Sequence, residues 1–297
     1  VLDYALEYGR RHALVSARAP SEPADLATIQ RRLSAAFAAR ALELPPMPGV
    51  AAEVIESSLD DHADAIRLAQ LIQTDQGLAS HVLRIVNSPA LRAATEIVAL
   101  RQAIARLGMT RIREIAVAAS LSNSLYASSS YADEANKAWQ VALGASLWSK
   151  EIARVCRRNT EVAYLCGLLH NVGTPVVLNA IGAASATRLA ARDVANLLAE
   201  FGIRAGELLA QEWRLPSAVA TTIRCIDDFR TAGDRADVVA IVQCAVRLAR
   251  AMLEAEPQPE SLAGCAAVDH LNLYPEDVAT LLGAGATIRA NAQSMSA

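Results

Sequence analysis

Apolar residues return at the three- and four-residue spacing of a helix along almost the whole of this 297-residue chain, and no convincing stretch alternates as a strand does. That pattern predicts an all-α protein, because a helical period cannot hold one face toward a core in an extended chain. Predicted helices cover 1–16, 24–42, 50–59, 62–74, 77–87, 98–107, 110–127, 132–157, 160–170, 191–201, 203–213, 216–227, 236–256 and 276–290. In the second of these, Leu26, Ile29, Leu33 and Phe37 share one face. Prolines punctuate the series. Ala19-Pro20-Ser21-Glu22-Pro23 breaks the first pair, Leu44-Pro45-Pro46-Met47-Pro48-Gly49 forbids helix ahead of the main unit, and Glu256-Pro257-Gln258-Pro259 interrupts the end. The expected organisation is a helical extension or connector over 1–42 and one compact multi-helix domain over 43–297.

Hydrophobic residues make up 53% of the chain, enough to bury a large core. Read as interrupted by Arg, Glu or Asp short of the roughly 20 residues of a membrane span, the apolar stretches predict no membrane contact. The first 30 residues carry charges where a signal peptide would be apolar. The expected location is the cytoplasm, and Val1 in place of an initiator Met suggests a longer parent chain. A net charge of −3 argues against bulk capture of nucleic acid, and few aromatics offer a stacking platform. The cysteines at 156, 166, 225, 244 and 265 are widely spaced without a Cys-x-x-Cys pair, and buried reduced thiols are expected.

Several segments carry a resemblance. Leu44-Pro45-Pro46-Met47-Pro48, the turn Ile72-Gln73-Thr74-Asp75-Gln76-Gly77-Leu78, the helix end at Asn87-Ser88 and the segment Leu100–Gly108 together resemble the HDOD family, the HD-related output domain of bacterial signalling proteins. The likeness runs from 42 to about 290, with Gln76 where proline is usual. Each segment also has a local physical reading. Asp75 suits a helix N-cap, Asn87 and Ser88 can bind nearby backbone groups ahead of Pro89, Gly108 fits a helix end with positive φ, and Thr110 is placed to start the next helix.

The resemblance implies a position-by-position test of a metal site. Gly167-Leu168-Leu169-His170-Asn171-Val172-Gly173 resembles the signature of HD-type phosphohydrolases, with Asn171 in place of the aspartate. In such enzymes His and Asp hold a divalent ion that lowers the pKa of bound water. A neutral amide supplies no charge to offset the ion's desolvation. By the same resemblance Val141 stands at the first ligand His and Val246 at the last ligand Asp, leaving His170 alone among four positions. Two further segments, Phe201–Pro216 and Ile223–Ile226, usually carry histidine in the family and here have none. His170 alone is most simply a buried imidazole bonded to a carbonyl.

No nucleophile elbow, Cys-His arrangement or phosphate loop is present in the sequence. The densest basic stretch is Arg101, Arg106, Arg111 and Arg113, with Arg154, Arg157 and Arg158 a second; a solvated face is the default, and an acidic partner or phosphate site the sharper alternative. The expectation is a non-enzymatic signal-transduction output or scaffold module with no cofactor and no metal. It would bind a receiver, a sensor, a cyclic-dinucleotide enzyme or a small ligand, or pair with a second copy of itself. The competing reading is a metal-dependent HD-type phosphohydrolase with ligands elsewhere.

Overall fold

The computed structural model describes residues 26–57, 65–91, 96–126, 130–185 and 187–296, and every regular element within them is helical. In chain order they are α1 (Leu26–Ala38), α2 (Gly49–Ser57), α3 (Ala65–Gln73), α4 (Gln76–Val86), α5 (Leu100–Leu107) and α6 (Met109–Leu121), which runs into a π-helical turn at Ser122–Tyr126. Then follow α7 (Ala132–Val155), α8 (Thr160–Leu169), α9 (Gly173–Ala184), α10 (Ala191–Glu212), α11 (Ser217–Cys225), a 3-10 turn (Phe229–Arg235) and α12 (Ala236–Glu254). A second 3-10 turn (Pro259–Leu262) leads to α13 (Ala266–His270), α14 (Pro275–Gly283) and α15 (Gly285–Ser296). The expected helix over 1–16, the break over 19–23 and the start of the helix at 62 lie outside the described residues.

Two helices organise the packing. Helices α2, α4 and α5 gather on α6, whose residues from Ile112 to Leu121 are all buried. The 24-residue α7 lies in the middle of the second group and packs chiefly on α8 and α12, with α15 also against it. Gly144 sets the α7–α12 approach, since a Cβ there would sit 3.0 Å from the Ala249 Cβ. Trp148, fully buried, fills the core beside it.

Local chemistry sets several boundaries. Asp75 caps α4 as expected, its Oδ1 accepting from the Leu78 amide at 3.0 Å. Gly108 takes φ 82°, a backbone that side chains rarely adopt, so α5 ends there. Asn87 does more than close its own helix: its amide donates to Leu83 O and Ile97 O while its oxygen accepts from Ile97 N, stitching two segments together. Ser88, by contrast, has a buried Oγ without a partner among the described residues. Thr110 does not begin α6, which starts at Met109; its hydroxyl donates to Glu161 instead.

Three helix expectations need correction. Residues 191–212 form one helix, continuous through Gly202, where two were expected. The stretch 276–290 is two helices meeting at Ala284. Helix α9 has no counterpart among the expected helices, because Gly173, Pro175 and the β-branched Val176 and Val177 weaken its local signal; Pro175 falls in the first turn, where its missing amide costs nothing.

The expectation that charges interrupt every apolar stretch also fails. Residues 162–187 contain no Asp, Glu, Lys or Arg, and Thr160–Ala184 has the length and composition to cross a membrane, an 18-residue window within it having a mean hydropathy of 1.3. In the fold it is not one rod: it turns at His170-Asn171-Val172, and 72% of that 18-residue window is buried inside the protein.

The segment Leu26–Ala38 is packed into the core. Ile29, Leu33 and Phe37 are buried, with α1 lying on α9 and α10. Phe37 stacks on Phe201 at 5.1 Å, and Arg204 lies over the Phe37 ring. Pro45, in the proline-rich stretch that follows, accepts a hydrogen bond from Trp213 Nε1 at 2.9 Å. The prolines leave that carbonyl outside any helix and free to take an indole donor.

Candidate functional site

The His170-Asn171 turn joins α8 to α9 and is clamped by glycines on both sides. A Cβ on Gly167 would lie 2.7 Å from both Ala145 O and Ser149 Oγ and 2.8 Å from Ser146 Cα, so α8 lies directly against the backbone of α7. A Cβ on Gly173 would overlap the Gly202 carbonyl oxygen and crowd the Gly206 amide. On α10 the four-residue spacing of Gly202 and Gly206 therefore creates the gap into which the turn fits, and Ile223 of α11 closes over Gly206.

Within this clamp His170 is buried, and its Nδ1 stands 2.7 Å from Gly167 O. That contact assigns the ring proton to Nδ1 and leaves Nε2 as an acceptor. Burial pushes the imidazole pKa down to about 4, the Gly167 carbonyl opposes the shift, and the charge of Arg250 on α12 adds to it. The ring is neutral at neutral pH.

Asn171 uses both ends of its amide. Its Nδ2 donates to Ala138 O on α7 at 2.9 Å, and its Oδ1 accepts from the Tyr126 hydroxyl at 3.1 Å. Tyr126 comes from the π-helical turn and packs against Trp139 at 5.1 Å. Burial pushes the Tyr126 pKa upward, so the phenol keeps its proton and stays the donor. The amide thus ties α7, α8 and the end of α6 at one point.

Val141 lies one helical turn beyond Ala138 on α7 and is partly buried against the core. Val246 is buried on α12, one turn before Arg250. The elements that carry the four positions are therefore packed together: α7 and α12 on each other, and both on α8. Two of the positions are hydrocarbon, the third is a neutral amide and the fourth an imidazole with Nδ1 engaged. This donor set does not fit a divalent ion, which needs several deprotonated or anionic ligands in one geometry. Among the described residues no three His, Cys, Asp or Glu side chains cluster as metal ligands.

The arginines belong to a different place and do not converge on one open site. Arg101 is exposed on α5, and Arg106 donates to Leu91 O at 2.8 Å. Arg111 pairs with Glu114 at 3.1 Å, and the buried Arg113 faces Glu161 at 4.0 Å. Glu114, itself buried, also takes Lys150 at 2.5 Å, and Tyr164 donates to its backbone carbonyl at 3.1 Å. This network joins α6, α7 and the first turn of α8 around a cavity of about 20 Å³. In the second basic stretch, Arg154 pairs with Glu151, and Arg158 with Asp237 at 2.6 Å. Sequence periodicity places arginines on helices without revealing the carboxylates that other helices bring to them.

One juxtaposition has no counterpart in the sequence reading. Cys244 and Cys265, expected as separate buried thiols, stand with their sulfurs 3.9 Å apart.

Comparison with known proteins agrees with this architecture. Residues 44–229 match the HDOD domain family, a span that ends before Val246. A protein of Treponema pallidum (strain Nichols) whose function is uncharacterised is 24% identical over 211 residues, and the match covers 67% of this chain and 40% of that protein's length. An HDOD domain protein of unknown function from Geobacter sulfurreducens superposes with a TM-score of 0.69 at 22% identity, over 91% of this chain and 97% of its own. A protein of Shewanella amazonensis SB2B, provisionally named a metal-dependent phosphohydrolase, also reaches 0.69, at 18% identity over 90% and 99%. A protein of Marinobacter aquaeolei VT8, provisionally named a signal transduction protein, reaches 0.63 at 20% identity over 93% and 67%. These likenesses establish the fold, and with more than half of its residues matched the chain belongs to the HDOD domain family.

Proposed function

We propose that this protein is a non-catalytic output or scaffold module of bacterial signal transduction, acting in the cytoplasm by binding a receiver, a sensor, a cyclic-dinucleotide enzyme or a small ligand. The observation that carries the reading is Asn171. At the position where HD enzymes hold a metal-binding aspartate, this side chain spends both amide atoms on protein partners, Ala138 O and the Tyr126 hydroxyl. A metal ligand has become a structural tie, with His170 neutral beside it and valines at 141 and 246. The provisional name of the Marinobacter relative is in keeping with signalling, and that of the Shewanella relative keeps a phosphohydrolase as the second reading.

The test is metal content and turnover. Protein stripped with chelator and reloaded with manganese, magnesium or zinc should retain no stoichiometric ion and hydrolyse neither phosphomonoesters nor cyclic nucleotides. A stoichiometric ion with turnover establishes the hydrolase instead. Asn171→Asp should restore no metal binding, since only one of three missing ligands returns. It should cost about 2 kcal/mol in urea unfolding, because the carboxylate loses the donor to Ala138 O and sets oxygen against oxygen.

The N-terminal segment is proposed as the connector to an upstream sensor or receiver, or to a second copy. Because Phe37 and its neighbours on α1 are part of the core, removing 1–42 would damage the fold itself. Removal of 1–25 alone is the informative truncation: a change in oligomeric state or in binding to a purified partner supports the connector, and no change in either removes it.

A further inference from the structure

The chain leaving α12 doubles back through the 3-10 turn Pro259–Leu262 and lies against α12. Gly264 takes φ 66° with no obstacle around it, a backbone open to glycine, and so lays Cys265 onto the helix. There the Cys265 sulfur reaches the Cys244 sulfur at 3.9 Å, across 21 residues of sequence. Cys244 is fully buried in the middle of α12, whereas Cys265 keeps 7% exposure at the loop. Arg247, exposed one turn further along α12, donates to Ala263 O at 3.2 Å and brings its charge to the same loop.

The two thiols are unequal. The sulfur contact shared with Cys244 holds Cys265 below the usual thiol range; burial opposes this, and the Ala267 amide and Arg247 reinforce it. The same contact, with burial, drives Cys244 upward. Cys166 is different in kind: burial pushes it up to about 12. Cys156 is likewise raised by burial. A sulfur poised to ionise beside one that keeps its proton is the pairing that two-step thiol oxidation uses.

We propose that Cys265 and Cys244 form an oxidation site for a hydroperoxide, with Cys265 as the attacking thiolate and Cys244 as the resolving thiol. In the first step the Cys265 sulfur attacks the terminal peroxide oxygen. An S–O bond forms, the O–O bond breaks, and the departing alkoxide or hydroxide takes the proton that Cys265 released. The sulfur is oxidised by two electrons to a sulfenic acid, and the peroxide is reduced to an alcohol or water. In the second step the Cys244 sulfur attacks the Cys265 sulfur, an S–S bond forms, the S–O bond breaks, and the hydroxyl leaves as water with the Cys244 proton. Two thiols and one hydroperoxide give one disulfide, one alcohol and one water. Closing 3.9 Å to the roughly 2 Å of a disulfide shifts the Gly264–Cys265 loop, because Cys244 is fixed within its helix.

The experiment treats the reduced full chain with limiting hydrogen peroxide, alkylates it under denaturing conditions and maps the peptides by mass spectrometry. The expected result is a cross-link between the Cys244 and Cys265 peptides, two titratable thiols lost from the five in the sequence, and full recovery with dithiothreitol. In Cys244→Ser, dimedone should label Cys265 as a trapped sulfenic acid. In Cys265→Ser, peroxide consumption should fall to the level of the remaining thiols. The proposal is overturned if all five thiols survive, if Cys156 or Cys166 reacts as fast as Cys265, or if wild-type Cys265 accumulates as sulfenic or sulfinic acid without a cross-link. Should either variant fail to fold by circular dichroism, the wild-type peptide map alone decides.

Discussion

The two ends of α8 are held by opposite means. At its start, Asn159 caps the helix through two amide bonds at 3.0 Å, and Glu161 accepts from Thr110 at 2.8 Å and faces Arg113. One turn on, Tyr164 reaches the backbone of Glu114, a carboxylate shared by Arg111 and Lys150. At its finish no ion pair is formed among the described residues: Gly167 and Gly173 admit neighbouring backbones, and His170 and Asn171 bond to carbonyls and a phenol, with the charge of Arg250 acting on His170 only through space. The charged end tolerates water, because Glu161 remains 37% exposed and screening there is effective. The neutral end depends on shape. Two neutral, hydrogen-bonded side chains hold this end together without a carboxylate.

The largest effect should come from shape. Gly173→Ala forces a Cβ into the Gly202 carbonyl, and separating α9 from α10 should cost about 3 kcal/mol or more in urea unfolding. A loss below about 1 kcal/mol would mean that the neutral end is loosely packed, and the contrast would collapse.

Acid should act on the same end to a comparable extent. His170 has its pKa lowered from 6.5 to about 4, so between those values the unfolded chain binds a proton that the folded chain refuses. This contribution to stability is complete above pH 6.5, declines as pH falls through that window and is exhausted below about 4; in total it is on the order of 3 kcal/mol. His170→Gln should flatten the stability profile across that window. An unchanged slope in the variant would assign the acid sensitivity elsewhere.

The smallest effect belongs to the charged end. Glu161→Gln should cost under about 1 kcal/mol, and the difference should fade at about 1 M salt, where screening shortens to roughly 3 Å. A larger, salt-independent loss would mean that more than screened charge holds this end, since the glutamine oxygen can still accept from Thr110.

The sequence carried the features that depend on near neighbours. Asp75 sits ahead of its helix in a pattern that demands a cap, Gly108 ends α5 with positive φ, and Ile29, Leu33 and Phe37 keep one face by period alone. Features made by distant approach were hidden. Gly202 looks like a place for α10 to end until Gly173 is seen packed against it, and α9 forms because Val176, Val177, Leu178 and Ile181 are buried in spite of weak local preference. At the candidate site, the residues at 141, 171 and 246 were singled out through the resemblance. The new partners of Asn171 were not, since Tyr126 lies 45 residues away. The arginines and Cys244 illustrate the same limit, their counterparts being supplied by folding.

The π-helical turn at Ser122–Tyr126 decides which way that phenol points. A π turn arises when one extra residue is accommodated within a helix, and each residue advances the helical face by about 100°. Excising a single residue there would swing Tyr126 off the amide and leave Asn171 oxygen unfed, so the angular phase of α6 and the identity of residue 171 form one inherited setting that neither can leave alone.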